Sequence, residues 1–411
     1  MIKVFYNPLQ IATVDTKGKN YKRGKELGEI GILENHSILV ENGIIKDFVP
    51  SSSINGKYEK IDVSGKVILP GLAECHTHTA FAGSRANEFR KKIEGATYEE
   101  IAYSGGGINA TVQAVRKHSM EELVGIMKPR ISYFIEQGIT TLEIKSGYGL
   151  SLDDELKLLL AVKKVGEIFP IDIIPTFLGA HTVPSEFKNN REEYLNLIID
   201  KMLPEIARQN FAVFCDAFCE KTAFSAEETD RIFAKAAQLG MKIKLHTEQF
   251  NNIGGLEIAL KYKAVSVDHL EVINDKDIEK FSGSETVAVL LPGVSFFLNY
   301  GFAPARKLIE KNAIVALSTD YNPGSSHIAN LNLIMGLAAI KMKMKVEEVI
   351  SAVTINAAKA LDVSGSTGSL EIGKKADFAV FDAQDYSDIV YNIGKNLNIM
   401  TVKNGNIIYS K

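Results

Sequence analysis

Cysteine is scarce in this sequence, and the three present, Cys75, Cys215 and Cys219, make neither an even set nor a Cys-x-x-Cys pair. That argues against a disulfide scaffold and fits ordinary buried thiols in a reducing cytoplasm. Long apolar runs are missing too. The greasiest stretch, Val287 to Leu298, is broken by Pro292, Gly293 and Ser295 and falls short of the ~20 residues that cross a bilayer. No membrane association is expected. The opening Met1-Ile-Lys-Val-Phe-Tyr-Asn-Pro lacks the apolar core and small-residue cleavage site of a signal peptide, so secretion is not expected and the cytoplasm is. An excess of one charge is absent as well: 47 Lys and Arg against 50 Asp and Glu leave a net charge of -3. With no basic stripe to neutralise phosphates, nucleic acid is excluded as a partner and small molecules are expected.

What is present is an ordinary globular composition, 45% apolar and 24% charged in 411 residues, enough for a large domain with an attachment or for two domains. The first sixty or so residues read as short strands with a hairpin signal at Asn42-Gly43, and the last forty repeat that character with Asn404-Gly405. The two ends, residues 1–66 and 360–411, are expected to form one β-sandwich domain. Between them, residues 67–359 alternate strand-length apolar runs with helical stretches such as Met120 to Gly138 and Asp153 to Ile168. Eight candidate strands end near His76, Lys145, Phe177, Phe218, Leu245, Val267, Leu291 and Ser318, which fits an α/β fold of the (β/α)8 barrel type. An open doubly wound sheet is the rival, but no glycine-rich phosphate turn follows the first strand. The triplet Gly105-Gly106-Gly107 reads as a loop, a lid over the barrel mouth or a plain connection.

Side chains at the carboxyl ends of barrel strands converge on one mouth, and these ends are strongly polar. The first carries His76-Thr-His78, whose period of two points both imidazoles the same way. The fifth stops at His246, the sixth at His269 and the eighth at Asp320. Three histidines and a carboxylate form a donor set suited to zinc or ferrous iron. We therefore assign His76, His78, His246 and Asp320 to one divalent metal ion. The third and fourth strands end in Thr176-Phe-Leu-Gly and Ala217-Phe-Cys-Glu without the bridging group of a bimetal centre. A water on such a cation has its pKa lowered from about 15.7 toward ~7, which makes a hydroxide nucleophile at neutral pH. Asp320 is the expected proton carrier, and His269 either hydrogen-bonds the attacking oxygen or holds Asp320 in place. His36 and His118 sit in polar surroundings and read as surface residues, and His327, just past the eighth strand, either lines the site or begins a helix.

The run Pro70-Gly-Leu-Ala-Glu-Cys-His76-Thr-His78, the strand-end His246 and His269, the Ser318-Thr-Asp320 end and the closing Gly368-Ser-Leu-Glu-Ile-Gly resemble the amidohydrolase superfamily. Narrower stretches, His76-Thr-His78-Thr-Ala-Phe-Ala-Gly-Ser-Arg85, Ser104-Gly-Gly-Gly-Ile108, Glu143-Ile-Lys-Ser-Gly-Tyr148, Phe177-Leu-Gly-Ala-His181 and Asp320-Tyr-Asn322-Pro-Gly324-Ser325, resemble the imidazolonepropionase family. That resemblance implies hydrolysis of the ring amide of 4-imidazolone-5-propanoate to N-formimidoyl-L-glutamate in histidine degradation, and a homodimer. It also implies site roles. Arg85 would clamp the propionate, Tyr148 and His181 would donate to the ring carbonyl and nitrogens, with His181 counted among the catalytic residues, and Asn322, Gly324 and Ser325 would form a polar turn beside Asp320. Some members carry a glutamate where this chain has Gln249. An amide cannot take up a proton near neutral pH, so Gln249 can only orient ring or water. The neighbouring Glu248 is expected to point away on an extended backbone. Two other functions fit less well: deamination of a purine, pyrimidine or other cyclic amidine with the same metal set, and a non-catalytic barrel scaffold, which would not need all four ligands.

Overall fold

Eight short strands, Leu72–Glu74, Ile139–Lys145, Asp172–Ala180, Phe214–Cys219, Lys242–Thr247, Ser266–His269, Val287–Leu290 and Ile314–Leu317, each pair in parallel with the next in the chain. The computed structural model describes residues 2–56, 58–95 and 106–411. Beyond the strand ends a parallel bridge joins Thr77 to Tyr321, with His78 N donating to Tyr321 O at 3.0 Å and Asp320 N to His76 O at 3.1 Å. The first and last strands therefore meet at the mouth, and the barrel is nearly closed there. Ile139–Lys145 is buried at every position, as expected of a strand covered by helices on one side and by the barrel interior on the other.

The covering helices begin where side chains satisfy their free backbone N–H groups. Ser119 and Glu122 form a capping box for Met120–Glu136, Ser225 and Glu228 one for Ala226–Gln238, and Ser151 caps Leu152–Ile168. Their apolar faces build the main core with the outer sides of the strands.

The chain ends supply two further sheets. One carries Ile44–Pro50, His36–Glu41, Ile2–Tyr6 and Glu59–Asp62, and the other Asn406–Ser410, Asn398–Lys403, Phe378–Phe381, Val67–Pro70, Gln10–Ala12 and Ile32–Leu33. Phe5 meets Phe378 edge-on at 4.6 Å between the two sheets, amid Ile38, Val40, Ile68 and Val380. Both Asn-Gly turns join hairpin strands, with φ of 52° and 79° at Asn42-Gly43 and 47° and 70° at Asn404-Gly405. Positive φ at both positions is what a two-residue hairpin turn requires.

One boundary differs from the sequence reading. Val67–Pro70, given above to the barrel, pairs with Phe378–Phe381 and Gln10–Ala12 in the terminal sheet. Gly71 then carries the chain into the first barrel strand, past Thr140, whose Oγ1 would lie 2.2 Å from a Cβ placed on that glycine. Of the glycine triplet, Gly105 lies outside the described residues, while Gly107, at φ 79°, caps the helix Ile108–Lys117.

Candidate metal centre and active site

Four side chains from distant parts of the chain meet at the barrel mouth. Asp320 Oδ1 lies 3.4 Å from Nε2 of both His76 and His78, and His246 Nε2 lies 3.4 Å from His78 Nε2. His76, His78 and His246 form one group able to hold a metal ion, and His76, Asp320 and His269 another. All five side chains are buried.

The tautomers are set from below. His76 Nδ1 donates to Asp268 Oδ2 at 2.6 Å, and His246 Nδ1 donates to Asp216 Oδ1 at 3.0 Å. Each carboxylate can only accept, so Nε2 of both rings faces the mouth as a lone pair. Burial lowers the pKa of His78 and takes that of His246 well below its ordinary value, which keeps both rings neutral. His76 Nε2 and Asp320 Oδ1 have no hydrogen-bond partner although both are buried. Imidazole nitrogens and a buried carboxylate oxygen that meet at 3.4 Å suit a divalent cation: the donor set fits one.

The backbone bends to make this convergence. Adjacent residues on a strand face opposite ways, so Asp268 and His269 could not both serve the interior on an extended chain. His269 takes φ of 88°, which swings its ring back over the mouth, and Asp320 takes φ of 49°. Glu248 also departs from extended backbone, at φ 58°. It does not line the cavity, in keeping with expectation, although the cause is this left-handed turn. Its oxygens lack partners and burial pushes its carboxyl up to about 8.

Above the centre opens a cavity of about 360 Å³. His78, His246, His269 and Asp320 line its floor, and Arg85, Tyr148, His181, Gln249, Asn322, Gly324 and Ser325 its walls. Every substrate residue named from the sequence thus borders one space. His181 Nδ1 donates to Gly147 O at 3.0 Å, and burial pushes its pKa down to about 3. Its Nε2 is therefore an acceptor, not the donor expected above. The Tyr148 hydroxyl, raised by burial and by the Asp320 charge, keeps its proton and can donate. Asn322 spends its side chain within its own turn, accepting from Gly324 N and Ser325 N and donating to Asp320 O. Arg85 Nε donates to Glu88 at 2.9 Å, and Glu88 also accepts from Gly107 N at 3.0 Å. His36 and His118 are half-buried and His327 is exposed, and none of them lines the cavity.

A model of the amidohydrolase family matches residues 94–409. The imidazolonepropionase of Brevibacillus brevis is 42% identical over 409 residues, covering 98% of this chain and 96% of that protein. That of Alkaliphilus oremlandii is 43% identical over 412 residues, covering 98% and 97%. The chain belongs to the amidohydrolase family and, within it, to the imidazolonepropionases. Among solved structures, a triazine hydrolase variant superposes with a TM-score of 0.80 at 16% identity, covering 100% of this chain and 95% of that one. Guanine deaminase of E. coli does so at 0.72 and 16%, covering 100% and 99%. These distant likenesses concern the fold.

In this imidazolonepropionase family member, sequence reasoning missed the groups that support the mouth. Asp216, Asp268, Glu143, Lys145 and Lys244 are fully buried below the histidines. A signal existed: Lys244 stands two residues before His246 and Glu143 two before Lys145, and a period of two puts such residues on the same inner face. Lys92 and Phe218, which also line the cavity, were missed as well. So were Tyr300 and Glu271: Gln249 Nε2 donates to Tyr300 Oη at 3.1 Å, Tyr300 Oη to Glu271 Oε1 at 3.4 Å, and His269 Nδ1 approaches the same oxygen at 3.5 Å.

Proposed function

We propose that this chain hydrolyses the ring amide of 4-imidazolone-5-propanoate to N-formimidoyl-L-glutamate, and that His76, His78, His246 and Asp320 hold one divalent ion, zinc or iron. The observation carrying this reading is the cavity over the histidines that Arg85, Tyr148, His181, Gln249, Asn322, Gly324 and Ser325 all line, in a chain 42% identical to a named imidazolonepropionase along nearly its whole length. Bound at those four residues, the ion would supply Lewis acidity and lower the pKa of a water toward ~7.

The chain's own groups do the rest. Arg85 and Lys92 both border the cavity and provide the positive charge that a propionate tail needs. Asp320 takes the proton of the attacking water and delivers it to the ring nitrogen that leaves. Burial opposes charge on His269, yet the Glu271 carboxylate raises its pKa, so its ring donates to the carbonyl oxygen as negative charge develops there. Tyr148 donates to the ring, and His181 accepts a ring N–H at Nε2. Gln249, fixed through Tyr300, orients the ring. No described helix is long and apolar enough to cross a membrane, and we place the enzyme in the cytoplasm, acting on this small molecule. The residues 1–66 and 360–411 are read with Val67–Pro70 as one terminal sandwich beside the barrel.

Ring opening keeps all nitrogen in the product, whereas deamination expels ammonia. Purified protein supplied with 4-imidazolone-5-propanoate is expected to consume it without ammonia, and stoichiometric ammonia would overturn the assignment in favour of a deaminase.

Two substitutions test the walls. Tyr300→Phe removes the hydroxyl between Gln249 and Glu271, and steady-state kinetics are expected to give a kcat/KM about tenfold lower, the cost of about one buried hydrogen bond. A Cβ on Gly324 would lie 2.2 Å from Arg85 Nη1, so Gly324→Ala must push the guanidinium aside. We expect KM to rise roughly tenfold with metal content unchanged. An unaltered KM would detach Arg85 from the substrate.

A further inference from the structure

Below the histidines the barrel axis is filled with charge. Lys145 Nζ lies 2.8 Å from Asp216 Oδ2, 2.9 Å from Glu143 Oε2 and 3.9 Å from Asp268 Oδ2. Lys244 Nζ lies 2.9 Å from Glu143 Oε1 and donates to Cys75 O at 2.8 Å. All five charged side chains are fully buried. Three carboxylates turned toward one point are the surroundings of a hard cation. Asp216 and Asp268, with His246, do form a third group whose donor atoms lie close enough to share a metal ion. Both carboxylates also accept from ligand histidines of the centre above, at 3.0 Å and 2.6 Å, so the two positions are contiguous.

We propose that the Lys145 ammonium takes the place of a second metal ion between Asp216, Asp268 and Glu143, and that this residue is what confines the centre to one metal. The reasoning is electrostatic. Buried carboxylates without a counter-charge are strongly unfavourable, so some cation must stand among them. An ammonium on a side chain is permanently supplied, cannot dissociate, and leaves each aspartate free to accept from its imidazole. A metal ion at the same point would draw those carboxylates away from His76 and His246. Lys145 acts through these aspartates, as a positioning residue that touches neither substrate nor the reacting atoms.

The inference rests on the reading of His76, His78, His246 and Asp320 as ligands, and metal content separates the two. Wild type and Lys145→Ala are equilibrated with zinc, desalted and analysed for zinc per chain by plasma emission spectrometry. Wild type is expected to retain about one ion and Lys145→Ala about two, because the vacated space admits an ion with its waters. In Lys145→Ala/Asp268→Asn, which lacks one of the acceptors, the count is expected to return to about one. Wild type without retained zinc would sink the ligand reading itself. Wild type with one ion and Lys145→Ala also with one would overturn the role of Lys145 alone. If Lys145→Ala is unfolded when metal-free, its thermal melt is followed with increasing zinc. Folding restored by zinc supports the proposal, and a chain that stays unfolded at every zinc concentration contradicts it.

Discussion

Asp320→Asn is expected to lower kcat by at least about a thousandfold while the protein stays folded. The side chain is both a ligand in the proposed centre and the carrier of the water's proton, and loss of such a proton carrier alone typically costs 10²–10⁴-fold, or roughly 3–5 kcal/mol. An amide retains the shape and one donor oxygen but has no basic site for that proton. The fold should survive for a local reason: Asp320 has φ of 49°, and asparagine is among the few residues that adopt this left-handed conformation readily. Circular dichroism and thermal melting would check the fold, and initial rates the turnover. Nearly normal turnover would exclude the proton-carrier role.

Arg85→Ala is expected to raise KM for 4-imidazolone-5-propanoate by roughly 30–1,000-fold, since truncating one partner of a desolvated charge pair costs about 2–4 kcal/mol. Metal content should be unaffected. Arg85 lines the cavity wall and its Nε is engaged by Glu88 at 2.9 Å, which leaves the two terminal nitrogens to face a carboxylate as a fork. The lost affinity should shrink for an analogue lacking the propionate, because that ligand never made the contact. Equal loss for both ligands would mean that Arg85 shapes the wall and does not clamp the tail.

The barrel was legible because its strands write themselves as apolar runs that stop at polar residues: all eight observed strands end within a few residues of the positions read from the sequence. The proposed ligands were legible for the same reason, since His76, His78, His246 and Asp320 stand at or just past those ends. The interior below them was not. Lys145 and Lys244 look like solvent-facing positions of strands when read one at a time, and only the spatial neighbourhood of Asp216, Asp268 and Glu143 reveals why they are buried. Dihedral reversals were equally hidden. A strand ending in Asp268-His269 suggests one inward residue, yet φ of 88° at His269 brings both to the centre. The acceptor state of His181 depends on a carbonyl, that of Gly147, which no side-chain pattern announces. The boundary at Val67 moved because apolar strands of the terminal sheet and of the barrel read alike, and only pairing partners tell them apart.

The most direct test of a single cation held by three histidines and an aspartate follows the imidazolone ultraviolet band after mixing with the protein as purified, after chelation, and after return of zinc or ferrous iron. The band is expected to decay with the native protein, to persist after chelation and to decay again once metal is restored. Decay at an undiminished rate in protein shown to be metal-free would contradict the account.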